Sequence, residues 1–258
     1  MRATADTVVF VHAHPDDEAI FTGGTMVRLA AEGHRVVLVV ATGGELGATP
    51  DGVPAPPVLA QRRTAETLAA ARLLGVDRVV WLGYHDSGMA GDAANAAPGS
   101  FWSADVAVAS ARLAAVLVEE EAGAVVVYDE DGIYGHPDHV QVHRVGRRAA
   151  EEAGVATVYD ATVDREYLHF VETHLVEEAI LADDLGLVRS HIGVPSVAVD
   201  ATVDVRSTLD VKRAAMAAHA SQIPETTSAL QLPQHHFADV YGWEWYVRSG
   251  PLGPIDGL

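Results

Sequence analysis

Cysteine is absent from the 258 residues, so no disulfide, thiolate nucleophile or thiolate metal site can be built. Positive charge is scarce: 17 lysines and arginines face 36 aspartates and glutamates, a formal net charge of −19. So acidic a chain repels phosphate backbones and anionic lipid. That argues against nucleic-acid binding and polybasic membrane attachment, and favours a neutral or cationic small-molecule substrate. Long apolar runs are missing too, since none approaches the roughly 20 residues that span a bilayer. Residues 1–6 lead into a short apolar run without a signal-peptide core, so a cytoplasmic protein is the expectation. Nucleotide fingerprints are also lacking, because the first βα turn has no G-x-G-x-x-G and no G-x-x-x-x-G-K occurs.

What remains is globular composition, 49% hydrophobic and 21% charged, enough to bury a substantial core. Apolar runs at 8–11, 35–41, 78–82 and 124–128 show no alternation and read as strands covered on both faces. Helical patterns lie between them, at 15–31 (closed by Gly33), 58–74 (closed by Gly75) and 104–121, and another follows at 138–153. Residues 157–159 suggest a fifth strand, 51–57 a proline-rich loop and 83–101 the longest loop. Beyond 164 the pattern gives helical spacing near 166–181, a strand-like 196–203 and a helix over 209–220. The tail from 223 stays unassigned, with His235-His236 read as loop. Strand–helix alternation of this kind implies an α/β fold: a single-domain, Rossmann-like, doubly wound and mainly parallel sheet, with strand one beside strand four.

Two stretches carry the chemistry. His14-Pro15-Asp16-Asp17-Glu18 follows the first strand, and Gly135-His136-Pro137-Asp138-His139 follows the fourth. Pro15 suits the first helical position, and Asp16, Asp17 and Glu18 then fall in the first turn, where the helix dipole favours carboxylates. Strand one beside strand four puts both loops at the sheet's switch point, where such folds bind ligands. His14, Asp17 and His139 then offer two imidazoles and a carboxylate with room for water, the donor set of catalytic zinc. Ferrous iron suits the same set. Asp16, beside a ligand and not itself one, fits a general base. His136 can stabilise an oxyanion or protonate a leaving amine, with Asp138 orienting its ring.

Plainer readings stand beside these. Asp16 can be an ordinary first-turn acid, His136 and Asp138 a helix cap, Arg63 an i,i+3 partner of Glu66, and Asp86-Ser87-Gly88 an Asx-turn. His12 is expected to point away from the metal and His143 to be a satisfied neighbour. Arg147-Arg148 and Glu119–Glu121 read as solvated faces.

Together the two motifs resemble those of the LmbE-like (PIG-L) family of zinc-dependent N-acetylglucosamine-type deacetylases, in the branch that holds the mycothiol-pathway deacetylase and S-conjugate amidase. The likeness runs through Thr42-Gly43-Gly44-Glu45, Arg63 and Glu66, Asp86-Ser87-Gly88-Met89 and Tyr128-Asp129-Glu130. It continues weakly at Lys212 and Ala218-His219-Ala220-Ser221-Gln222. The resemblance implies zinc on His14, Asp17 and His139, Asp16 as base, and His136 with Asp138 polarising the carbonyl or acting as acid. It also implies that Tyr134 reaches the tetrahedral intermediate and that Arg63, Asp86 and Glu45 hold a sugar. One LmbE-like domain over 1–258 follows, with a C-terminal extension from about 190 completing the site region. The implied reaction is hydrolysis of the acetamide of a small aminosugar-containing substrate. Cleavage of a larger amide is the alternative, and a non-catalytic sugar-binding module the remote one.

Overall fold

Valine-rich runs become strands that join into one sheet, covered on both faces except at 78–84, an edge strand, which is mostly half-buried and so departs from the expectation. A computed structural model describes residues 6–47, 56–171 and 192–258. In chain order the first half runs β1 (Thr7–His12), α1 (Asp17–Phe21), α2 (Gly23–Glu32), β2 (Arg35–Thr42), α3 (Pro56–Leu74), β3 (Arg78–Tyr84), α4 (Val106–Glu119) and β4 (Ala122–Tyr128). The second half runs α5 (Gly132–Gly135), α6 (Pro137–Ala153), β5 (Thr157–Thr162), α7 (Arg165–Phe170), β6 (Ala201–Asp204), α8 (Leu209–Ala218), α9 (Ser228–Gln231), α10 (Gln234–Tyr241) and β7 (Trp243–Ser249).

The strand order is β3-β2-β1-β4-β5-β7-β6. The first five are parallel, and β7 runs antiparallel between β5 and β6. Val8, Val9, Phe10 and Val11 are buried, as are residues 36–42 of β2, so neither strand alternates. β1 sits beside β4 with Phe10 opposite Val126, while β2 and β3 lie on its other side. The order reverses there, and the His-Pro-Asp loops leave the carboxyl ends of those two strands. The expected α/β, mainly parallel, doubly wound architecture is what forms. No helix among the described residues is long and apolar enough to cross a membrane.

Several elements differ from the sequence reading. The single helix expected over 15–31 is two, because Asp16 has φ 105° and Thr22 has φ −136°. Pro15 therefore lies outside α1, whereas Pro137 does occupy the first turn of α6, capped by His136. The break at Thr22 is stabilised by its hydroxyl, 2.8 Å from His12 Nε2, and by Glu244, whose carboxylate accepts the Gly24 and Thr25 N–H groups at 2.8 Å each. Gly33 ends α2 in the left-handed region, as expected. β3 runs on to Tyr84 and takes the start of the expected long loop, whose remainder holds one 3₁₀ turn at Ala93–Ala96. Within 196–203, residues 196–198 form a 3₁₀ turn and only Ala201–Asp204 joins a strand. His235 and His236 belong to α10, and the unassigned tail supplies β7. Of the helix expected over 166–181, residues 172–181 lie outside the described residues, as do 51–55 of the expected loop.

Lys212, the chain's only lysine, is buried on α8 with its Nζ 2.6 Å from Glu244 Oε1. Its positive charge thus neutralises the carboxylate that caps α2. Removing one partner of such a pair strands a buried charge at about 3–5 kcal/mol. Lys212→Met should lower the urea unfolding free energy by about that amount; a loss below about 1 kcal/mol would show that the pair is dispensable.

Candidate active site

The loop after β1 delivers His14 and Asp17, and the first turn of α6 delivers His139. Asp17 Oδ2 lies 3.3 Å from His14 Nδ1 and 3.3 Å from His139 Nε2. All three side chains are buried. A tetrahedral zinc ion with bonds of about 2.0–2.1 Å spaces its ligand atoms about 3.3–3.4 Å apart, and both separations from Asp17 match that spacing. The far nitrogen of His14, Nε2, lies 3.2 Å from Asp138 Oδ2 and 3.7 Å from Asp86 Oδ1. A carboxylate behind a ligand histidine fixes its tautomer and aim. His139 is held by packing: its ring stacks on Tyr128 at 4.3 Å and 12°, and its Nδ1 is buried without a partner. Ring nitrogens of His14, His136 and His139 also lie within 4.8 Å of one another.

The electrostatics favour a cation. Burial works against charge on His14, yet Asp138, Asp17 and Asp86 outweigh it and hold its pKa well above the ordinary imidazole value. Burial alone would raise Asp17, but His139 and His14 hold its carboxyl well below the usual range.

Asp16 stands apart from its neighbours. Its side chain keeps 17% exposure, against 7% for Asp17 and none for Asp138, so it is the acid that solvent reaches. Burial pushes it up to about 6, helped by Asp17 and Glu18 and opposed by Arg63. Arg63 lies on α3 and is itself buried. Its guanidinium donates to the carbonyls of Gly44 and Pro15, and Nη2 lies 3.2 Å from Asp16 Oδ2. The partner of Glu66 on that helix is Arg62, at 3.0 Å.

His136 Nδ1 accepts the Asp138 N–H at 3.1 Å, which leaves its ring proton on Nε2. Burial, with His14 and His139 nearby, pushes His136 down to about 2, so it meets a ligand as a neutral donor. The Asp138 carboxylate, expected to orient His136, instead takes the Ser87 N–H at 2.9 Å and the Ser87 hydroxyl and faces His14. The backbone of Asp138, and not its side chain, is what touches His136. Tyr134 Oη lies 3.4 Å from His139 Nε2. It follows Ile133, held at φ 66° by an Asp129 carboxylate that accepts the Ile133 N–H at 2.7 Å.

Glu45 and Asp86 adjoin this cluster, Asp86 through His14 and Glu45 through Asp86. Glu45 Oε1 lies 2.9 Å from His85 Nδ1 and accepts the Asp86 N–H at 3.2 Å. Asp86 accepts the N–H groups of Gly88 and Leu46, so the Asx-turn is present as well. His12 turns away to Tyr128 and Thr22, and His143 is satisfied by the Tyr128 carbonyl. Two expected solvated faces are only partly so, since Arg147 reaches Asp160 and Glu120 is buried against Arg35 and Arg78.

Sequence alone gives no role to Tyr128 or Ser87 and no partner to His219. Tyr128 Oη anchors the Ala13 N–H at 3.3 Å while its ring carries His139. His219 Nε2 lies 2.6 Å from Glu18 Oε1, both fully buried. An aromatic closing a buried strand, and a histidine in a family-like stretch, were the available signals.

The family model described as PIG-L, GlcNAc-PI de-N-acetylase, matches residues 9–150, a span that holds both His-Pro-Asp loops. A 1D-myo-inositol 2-acetamido-2-deoxy-alpha-D-glucopyranoside deacetylase of Salinispora arenicola is 38% identical, over 97% of this chain and 87% of its own. Among solved structures, N,N'-diacetylchitobiose deacetylase from Pyrococcus horikoshii superposes with a TM-score of 0.62 at 22% identity, covering 95% of this chain and 84% of that one. GalB, the 4-carboxy-2-hydroxymuconate hydratase of Pseudomonas putida, reaches 0.61 at 19%, covering 96% and 98%. Those two likenesses speak for the fold, and a hydratase among them means that the fold does not choose the reaction. The family model over more than half of the chain and the Salinispora relative decide the matter: this chain belongs to the PIG-L (GlcNAc-PI de-N-acetylase) family.

Proposed function

We propose that this chain is a cytoplasmic zinc-dependent deacetylase that hydrolyses the acetamide of a small N-acetylglucosamine-type glycoside to an amine and acetate. The observation that carries the reading is Asp17 Oδ2, equidistant from His14 Nδ1 and His139 Nε2, with a solvent-reached Asp16 next to it. The Salinispora relative, whose name gives an inositol glycoside of acetamidoglucose, supports that substrate class. His136 is left out of the ligand set because its Nδ1 is engaged by the Asp138 N–H.

His14, Asp17 and His139 would hold a divalent cation, which would supply the positive charge that makes water nucleophilic near neutral pH. Asp16 takes the proton of the attacking water, and the new C–O bond leaves a tetrahedral carbon bearing an oxyanion. His136 Nε2–H and the Tyr134 hydroxyl are the donors that would meet that oxygen. As the C–N bond breaks, Asp16 returns its proton to the nitrogen, so the amine leaves neutral and the acyl group leaves as acetic acid, which gives its remaining proton to solvent and becomes acetate. Asp16 is thus base and then acid, a task suited to a carboxyl raised towards neutrality.

Two outcomes test this reading. Asp16→Asn should cut kcat for acetate release from an N-acetylglucosaminyl-inositol substrate by about 10²–10⁴-fold while one equivalent of zinc stays bound. Asp17→Ala and His139→Ala should lose the metal itself; full zinc occupancy in either, read by elemental analysis, would remove that residue from the ligand set. The pH dependence has a definite sign. Asp16 works deprotonated, so kcat/KM should fall as pH drops, on a limb at or below about 6 because a bound cation would pull its raised pKa back down. A rate independent of pH between 4 and 7, roughly the window around that value, would exclude a carboxylate base.

A further inference from the structure

Asp16 has φ 105° and ψ −32°, outside the ordinary regions for a residue with a Cβ. Such strain persists only where the surroundings over-determine it. Asp16 is also the N-cap of α1, yet its carboxylate makes no capping bond, which leaves it free for chemistry. Its backbone is held from outside instead. Glu18 Oε2 reaches back to accept the Asp16 N–H at 3.0 Å, and Arg63 donates to the Pro15 carbonyl at the other end of the same peptide.

Neither support stands alone. Glu18 Oε1 accepts from His219 Nε2 at 2.6 Å, and both side chains have no exposure at all. His219 caps the C-terminus of α8, 201 residues away in sequence. Two residues on, the Ser221 N–H and hydroxyl donate to Glu66 at 3.0 and 2.5 Å, one turn beyond Arg63 on α3. One short segment thus grips Glu18, which holds the Asp16 backbone, and the helix turn next to Arg63, which holds the Asp16 carboxylate. We propose that His219 and Glu18 are positioning residues that fix the proton-transferring carboxylate of Asp16, with Ser221 and Glu66 steadying its second support. This rests on Asp16 being the base.

The test is His219→Ala against His219→Gln, whose amide can still donate to Glu18. Each is measured for kcat and KM per bound zinc, for metal stoichiometry, and for hydrogen exchange over residues 13–21. His219→Ala should lose about 10–100-fold in kcat, the usual scale for a misplaced supporting group, with KM and bound zinc within about twofold and faster exchange at 15–19. His219→Gln should stay within about threefold in kcat and keep slow exchange, since its donor remains. A folded His219→Ala with wild-type kcat overturns the proposal, as does a kcat loss matched by equal zinc loss. If His219→Ala does not fold, His219→Gln and Glu18→Ala decide: a folded Gln variant that loses as much as Glu18→Ala also overturns it. Asp16→Asn keeps the two readings apart. Turnover retained there removes the base itself, whereas a dead Asp16→Asn beside an unaffected His219→Ala removes only the brace.

Discussion

Parallel pairing of β1 with β4 is the constraint on which the site depends. Phe10 opposite Val126 fixes where both strands end, and the chain then has only a few residues in which to turn on either side. Hydrogen-bonded neighbours lie about 4.8 Å apart. Two loops more than a hundred positions apart in sequence are thereby brought within reach of one ion. Asp17 is the meeting point, touching an imidazole from each loop. Shifting the register by one residue would turn every side chain of β1 to the opposite face and break the meeting.

A site this acidic has to be held together against its own charge. Asp16, Asp17, Asp86 and Asp138 crowd one site, and among the described residues the permanent cation that meets them is the Arg63 guanidinium, which is committed to Asp16 and two carbonyls. Histidines and backbone N–H groups neutralise the remainder. Behind the pocket the same problem recurs with Glu18 and Glu244, and α8 answers both, through His219 at its end and Lys212 two turns earlier. Those contacts secure the two halves of a helix that Thr22 breaks: Glu18 belongs to α1, and Glu244 caps α2. The C-terminal third of the chain, weakest in pattern, therefore steadies the earliest motif.

Strands, switch point and the meeting of the two His-Pro-Asp loops are legible because each has a local cause. Unbroken β-branched runs mean strands covered on both faces, and a doubled His-Pro-Asp after two of them is rare enough to mark a site. What escaped depends on groups far apart in sequence. β7 sits where its neighbours β5 and β6 are hundreds of bonds away, and nothing in Trp243–Ser249 names them. The break at Thr22 needs His12 and Glu244 to be understood. Sequence order pairs Asp138 with His136, two residues before it, whereas the fold gives its carboxylate to His14 from the other loop. Arg63, read from its helix face, reaches Pro15 and Gly44 only because α3 packs beside the first motif.

Backbone strain gathers at the same place. Among the described residues three non-glycines have positive φ, and two of them, Asp16 and Ile133, follow β1 and β4 in the motif loops. An aspartate tolerates such a conformation poorly and a β-branched isoleucine worse. Each is held by a carboxylate that takes its own N–H, Glu18 for Asp16 and Asp129 for Ile133. Ile133 is also pinned at its carbonyl, which accepts the Gly193 N–H at 2.7 Å. The parallel is physical: a relaxed turn would let the residues after it drift, and those residues are Asp17 in one loop and Tyr134 in the other. Buried acids that lock strained peptides thus do in both loops what a glycine turn could not, because a glycine would reach the same φ without being confined to it.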